Sequence, residues 1–285
     1  MTNPLMRADK FAPTSGPPTA WPGGAGPGAP VPPAADNVPG GPWPPPTAEP
    51  TLRKGGVASA TAVLLAIICA TGVIGWNAVS TTTANVVNDS GQAAEQTDIS
   101  IPPWIIIAVF VGLGLALLTF FKPTWARVTA PLYAVAEGVF LGAISKAYET
   151  QYEGIVLQAV GLTIAVFAMM LVLYATGRIR VTPRFRLGVI AATGGIFLVY
   201  MVSFVVSLFG GNVPFIHDSG PIGIGFSLFV VVIAALMLTL DFDFIDRAEQ
   251  AGAPQHMEWF AALSLVVTLV WLYLEMLRLL SKIRR

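Results

Sequence analysis

Residues 103–121 read PWIIIAVFVGLGLALLTFF, nineteen positions without one charged side chain. A helix rises about 1.5 Å per residue and the hydrocarbon layer of a bilayer is about 30 Å thick, so a run of this length and character predicts a membrane-crossing helix. No water is available in that layer to satisfy backbone amides, which leaves helices and closed barrels as the spanning forms. Barrel strands are shorter and alternate apolar with polar residues, and this run does neither. The same texture recurs along the chain. Seven candidate spans follow: residues 57–79, 103–121, 130–148, 155–176, 187–209, 222–245 and 258–280. The first, second, fourth and fifth carry no charge at all, and most connections are short. The expected fold is all-α, a polytopic membrane bundle of seven transmembrane helices.

Composition agrees with that reading. Of 285 residues, 54% are hydrophobic and only 11% charged, where a soluble domain carries about 25% charged residues. The net charge is zero, so no nucleic acid or other strongly charged partner is expected. Cys69 is the one cysteine, which excludes a disulfide within the chain and a cysteine metal site. His217 and His256 lie far apart in loops, and no zinc-protease, phosphate-loop, dinucleotide-binding or nucleophile-elbow pattern occurs. A non-enzymatic protein with no resident cofactor is therefore expected.

Residues 1–50 are dominated by Pro, Gly, Ala and Thr. Such a composition buries too little apolar surface to offset its ordering entropy, and predicts a disordered tail. Trp21 and Trp43 are candidate recognition points in its polyproline-like stretches. The predicted division is a tail over 1–54 and a transmembrane domain over 55–285. No apolar signal-peptide core is present in the first 50 residues, so the first span is expected to act as an uncleaved signal-anchor.

Orientation follows from Lys and Arg in short loops. Arg53 and Lys54 precede span one, Lys122 and Arg127 follow span two, and Arg178, Arg180, Arg184 and Arg186 follow span four. Arg247 follows span six. The loops at 80–102 and 210–221 have neither Lys nor Arg, although Lys146 lies near the end of span three. The bias places the N-terminus in the cytoplasm of a cell bounded by the plasma membrane. Seven crossings then carry the C-terminus outside, yet Lys282, Arg284 and Arg285 make that end basic. A re-entrant last segment is the alternative; its 23 residues are enough to cross, and a complete span is expected.

Ionisable residues inside spans are costly and each is a functional candidate. Glu137 stands seven residues into span three, beside Gly138 and Gly142, whose spacing admits a close helix neighbour. Asp241 and Asp243 close span six, and Glu275 and Arg278 share one face of span seven. Each has a plain structural reading beside the functional one. Asp243 and Asp246 fit interfacial charges, Glu275 and Arg278 an ion pair, and the glycine pair ordinary packing. Lys146 fits a snorkelling cation. Gln158 and Tyr200 fit interhelical hydrogen-bonding groups.

Residues 240–245 (LDFDFI), 257–259 (MEW) and 268–280 (TLVWLYLEMLRLL), together with 133–145 (YAVAEGVFLGAIS), resemble the Bax inhibitor-1/YccA family in its bacterial Bax inhibitor-1-like branch. The resemblance covers the seven spans and leaves the Pro-rich tail outside. It implies a seven-helix fold with the last helix central. It further implies a pH-sensitive calcium leak in which two carboxylates of the last two helices share a proton or hydrogen bonds. Asp241 matches the first carboxylate. The second falls on Glu275 by one match and on Thr268 by another, and in the latter case the acid is gone. In a fully spanning arrangement Glu275 lies too deep to meet Asp241, so Glu137 with Asp241 (or Asp243) is the expected acidic site.

Two functions compete. One is a cation leak or transporter, since carboxylates suit calcium and protons. The other is a regulatory or scaffold membrane protein acting through partners, with its charges fixing helix packing. In both, the bilayer is the first partner. Calcium, or another cation, is cargo in the first.

Overall fold

The computed structural model describes residues 50–87, 93–209 and 220–285. The predicted disorder of the tail, Trp21, Trp43 and His217 fall outside the described residues. Among the described residues there are seven long helices, each long and apolar enough to cross a membrane. They are α1 (Lys54–Ala78), α2 (Pro103–Phe121), α3 (Ala126–Gln151), α4 (Ile155–Ala175), α5 (Pro183–Leu208), α6 (Pro221–Gln250) and α7 (Met257–Ile283). All seven predicted spans fall on these helices. Three predicted spans end one residue past their helices, at 79, 176 and 209, and several helices extend beyond the hydrocarbon-length runs into polar residues, as α6 does through Asp246, Arg247 and Glu249.

The 80–102 loop is more ordered than expected. It folds as an antiparallel hairpin, β1 (Ser80–Val87) with β2 (Ala93–Ser100), in which Ser80 faces Ser100 and Val87 faces Ala93. Its Thr- and Val-rich first arm has the β-branched character that suits a strand. Ile99 packs with Val79, Ile105 and Val139 and seats the hairpin on the bundle.

Helix α7 is the central one. Val266 and Val270 join the apolar cluster built with α1 and α3, while Leu265, Leu269 and Leu272 join the cluster built with α4 and α6. It is one unbroken helix, long and apolar enough to cross. Its basic end is tied to neighbouring elements through neutral acceptors. Lys282 is 6% exposed and donates to the Gly223 carbonyl (3.0 Å) and the Ser227 hydroxyl (2.9 Å) at the start of α6. Arg284 donates to the Glu153 carbonyl (2.7 Å) and Arg285 to the Tyr152 hydroxyl (2.9 Å) in the α3–α4 turn. These cations serve as local fasteners.

Residues 50–53, assigned to the tail from sequence, belong to the bundle. Leu52 is 1% exposed and its amide donates to the Ala253 carbonyl at 2.7 Å. The Gln255 amide returns a bond to the Pro50 carbonyl. The α6–α7 turn can accept this strap because Gly252 takes a left-handed backbone (φ +64°). The amides of Arg53 and Lys54, at the open start of α1, donate to the Glu258 and Glu249 carboxylates at 3.0 and 2.9 Å. Anionic acceptors at that end complement the helix dipole.

The glycine pair of α3 is packing. A Cβ on Gly142 would land on the Gly72 carbonyl, one on Gly75 on the Val139 carbonyl, and one on Gly138 on the Thr71 hydroxyl. Backbones of α1 and α3 thus meet directly, as small-residue contacts between membrane helices do. Gly142→Ala is expected to lower the melting temperature in detergent, with overpacking costing about 1–3 kcal/mol. Gly188→Ala in α5, where an added Cβ meets nothing within 4 Å, is expected to melt like the wild type. Equal melting of the two variants would contradict the close α1–α3 contact.

Candidate functional site

The LDFDFI run is helical, so successive side chains point about 100° apart and its two aspartates separate. Asp241 turns toward α7. Phe242 packs on Phe167 and Tyr174 of α4, with ring centroids 5.8 and 5.7 Å away. Asp243 pairs with Arg247 at 2.8 Å, one turn on.

Asp241 is 5% exposed, and both of its carboxyl oxygens are held. The Ser264 hydroxyl donates to Oδ1 at 2.7 Å and the Thr268 hydroxyl to Oδ2 at 2.7 Å. Ser264 and Thr268 are four residues apart on α7, the spacing that stacks side chains on one helix face. Thr268 has a second acceptor within reach, the Ser264 carbonyl at 3.2 Å. Asp241 lies four residues before the end of the apolar run of α6, roughly 6 Å along the axis, so the site sits near one end of the spanning part. An ionised carboxyl there is held by neutral donors alone, and a protonated one brings its own donor.

Glu275 forms a separate site. It is 2% exposed, and Oε1 accepts from Arg278 (2.8 Å) and from the Tyr200 hydroxyl of α5 (2.9 Å). Arg278 also donates to Tyr200 Oη, and its guanidinium lies 4.7 Å from the Tyr200 ring centroid. Oε2 has no partner among the described residues. Glu275 is seven residues beyond Thr268, roughly 10 Å along α7, which keeps it from Asp241.

The expected pairing of Glu137 with Asp241 or Asp243 does not form. Glu137 is half-buried on the α2 side of α3, where an added Cβ on Gly112 would lie 3.5 Å from its carboxylate. Asp241 is committed to α7 and Asp243 to Arg247. The two acids face different neighbours, Glu137 the α2 side and Asp241 α7. Gln158 is exposed and makes no side-chain hydrogen bond among the described residues, contrary to expectation, whereas Tyr200 does bridge helices. Lys146 sits 5.1 Å from the Trp76 ring centroid. Among the described residues no group of His, Cys, Asp or Glu is gathered to hold a metal ion.

The sequence model of the family described as Bax inhibitor 1 like matches residues 8–285. The chain belongs to that family. No curated protein matches it. The match takes in most of the Pro-rich segment, which the sequence resemblance had left outside. In this Bax inhibitor 1-like chain the structure also separates the two matches for the second carboxylate. Thr268, and not Glu275, faces Asp241. Where the resemblance implied an acid pair, this chain has one acid cradled by two hydroxyls. Ser264, which completes the cradle, was not singled out from sequence. Its i, i+4 relation to Thr268 was the available signal.

Arg278→Met leaves the buried Glu275 without its charge partner, and the expected loss is about 3–5 kcal/mol. The double variant Glu275→Gln with Arg278→Met is expected to recover most of it. Thermal melting of both in the same detergent checks this, and a double variant no more stable than the single would contradict it.

Proposed function

We propose that this protein is a pH-responsive cation leak of the plasma membrane, with calcium as the favoured cargo and Asp241 as the embedded carboxyl that sets its state. The N-terminus is on the cytoplasmic side, as the loop cations favour. No enzymatic step and no resident cofactor is part of the proposal. The observation that carries it is the burial of Asp241 in a spanning helix with a hydroxyl on each oxygen. Ionisable groups in such positions are expensive to keep and typically mark ion or proton routes.

The cradle has two hydrogen-bond states. With Asp241 ionised, Ser264 and Thr268 both donate to it. With Asp241 protonated, its own O–H donates to one of those hydroxyl oxygens, and the Thr268 hydroxyl turns to the Ser264 carbonyl, 3.2 Å away. The change reverses a donor between α6 and α7 and removes a buried negative charge. No ion pair reaches Asp241 among the described residues, and its side-chain partners are the two hydroxyls. Glu275 and Arg278 then hold α5 to α7, and Asp243 neutralises Arg247. Glu137 is assigned no part in the switch.

A second reading is a non-transporting regulatory membrane protein acting through partners. The hydroxyl at Thr268, where the resemblance implied an acid, favours it. Calcium flux into proteoliposomes across a pH series separates the two. The expected result is flux that varies with pH in the wild type, loses that variation in Asp241→Asn, and shifts its midpoint in Thr268→Val. Flux in Asp241→Asn that follows the wild-type pH curve would overturn the role of Asp241. Absence of flux from correctly folded protein at every pH would favour the second reading.

A further inference from the structure

Helices α1 and α4 both pack on α7 but make little or no contact with one another. The space between them is a furrow of about 1630 Å³. It follows α1 from Lys54 to Asn77, roughly 35 Å, which is about the full hydrocarbon thickness. Its floor is Phe242, Leu265 and Leu269, and Phe167 forms part of the α4 wall. Val73, Val160 and Ile164 are exposed along its rim, so the furrow opens sideways to the surroundings of the bundle. An apolar slot of this kind does not hold water well, since water needs two to four polar partners.

The furrow is apolar for most of its length and charged at one mouth. Lys54, Tyr174, Arg180, Asp243 and Asp246 gather there. The acids are all engaged. Asp246 takes Lys54 at 2.8 Å and the Tyr174 hydroxyl at 2.7 Å, and Asp243 takes Arg247 at 2.8 Å. Lys54 is also engaged by Glu249 at 3.4 Å. Arg180 is exposed and makes no ion pair among the described residues; the same holds for Arg178, Arg184 and Arg186 in the same nine-residue stretch. Arg180 therefore stands at the mouth with no ion-pair partner among the described residues, at the end of an acyl-sized slot.

We propose that the furrow between α1 and α4 is a binding site for an anionic phospholipid, with an acyl chain along the furrow and the phosphate at Arg180. Charge chooses the headgroup and the apolar walls choose the tail. Basic residues beside a membrane surface contribute about 1 kcal/mol each toward anionic lipids, which is roughly a fivefold preference from Arg180 alone. The site is independent of ion flux and of the Asp241 cradle.

Cys69 lines the middle of the furrow and is the chain's one cysteine, so a fluorophore placed there reports its occupancy. The full chain labelled at Cys69 is reconstituted in phosphatidylcholine vesicles that contain a few per cent of chain-spin-labelled phosphatidylglycerol or chain-spin-labelled phosphatidylcholine. The expected result is quenching by the phosphatidylglycerol at roughly fivefold lower mole fraction. Arg180→Glu is expected to abolish that preference while leaving the quenching by phosphatidylcholine in place. Ile164→Trp, which fills the rim, is expected to weaken quenching by both. Equal quenching by the two lipids in the wild type, a preference that survives Arg180→Glu, or no quenching by either lipid would each overturn the proposal. Free glycerophosphate added in excess is expected to leave the quenching unchanged; displacement of the lipid by it would mean a phosphate site without a role for the furrow.

Discussion

Helix α7 is enclosed by α1, α3, α4 and α6, and the polar groups it carries inward can find partners only in the protein. That constraint organises much of the structure. Ser264 and Thr268 meet Asp241 on α6. Tyr273 meets Ser145 on α3 at 2.7 Å. Glu275 and Arg278 meet each other and Tyr200 on α5. Lys282 meets Gly223 and Ser227 on α6. At the other end Glu258 receives the Arg53 amide at the start of α1. Each is an answer to the same cost, since a polar group left unpaired in an apolar interior loses its hydration with nothing in return.

The contacts are not equal in consequence. Glu275 with Arg278 is an ion pair within one helix, extended by Tyr200 to α5, and its natural role is to hold that peripheral helix. Helix α5 otherwise docks through a narrow stripe, of which Val189, Ile196 and Ser203 are the buried positions. Lys282, Arg284 and Arg285 fasten the far end of α7 to two turns. Asp241 differs because it has no counter-charge. It is a single buried acid whose hydrogen-bond pattern has to change with its proton, at the contact of the two helices that carry the family's sequence signature.

The helices were legible from sequence because hydrocarbon thickness fixes their length and apolar character fixes their position. The inner acids were legible for a related reason, since a charge stands out in an apolar run. What the sequence did not disclose was the direction each acid faces. Glu137 looks toward Gly112 of α2 and Asp241 toward α7; depth is a count of residues, while facing depends on the packing of the whole bundle. The hydroxyl cradle was hidden because Ser and Thr are ordinary in membrane helices. The strap at residues 50–53 was hidden because its bonds are between backbones and reach across two hundred residues of chain. The hairpin was missed through attention to its lack of Lys and Arg, although its Thr and Val content was in view.

The central claim is that Asp241 changes protonation inside its cradle and that this sets the state of the α6–α7 contact. Infrared difference spectroscopy of the reconstituted protein, recorded as pH is lowered, reads that proton directly. A protonated carboxyl band is expected to appear over the same pH interval in which flux changes, to be missing in Asp241→Asn, and to shift in frequency in Thr268→Val. A spectrum in which Asp241→Asn removes no titrating carboxyl band would contradict the account.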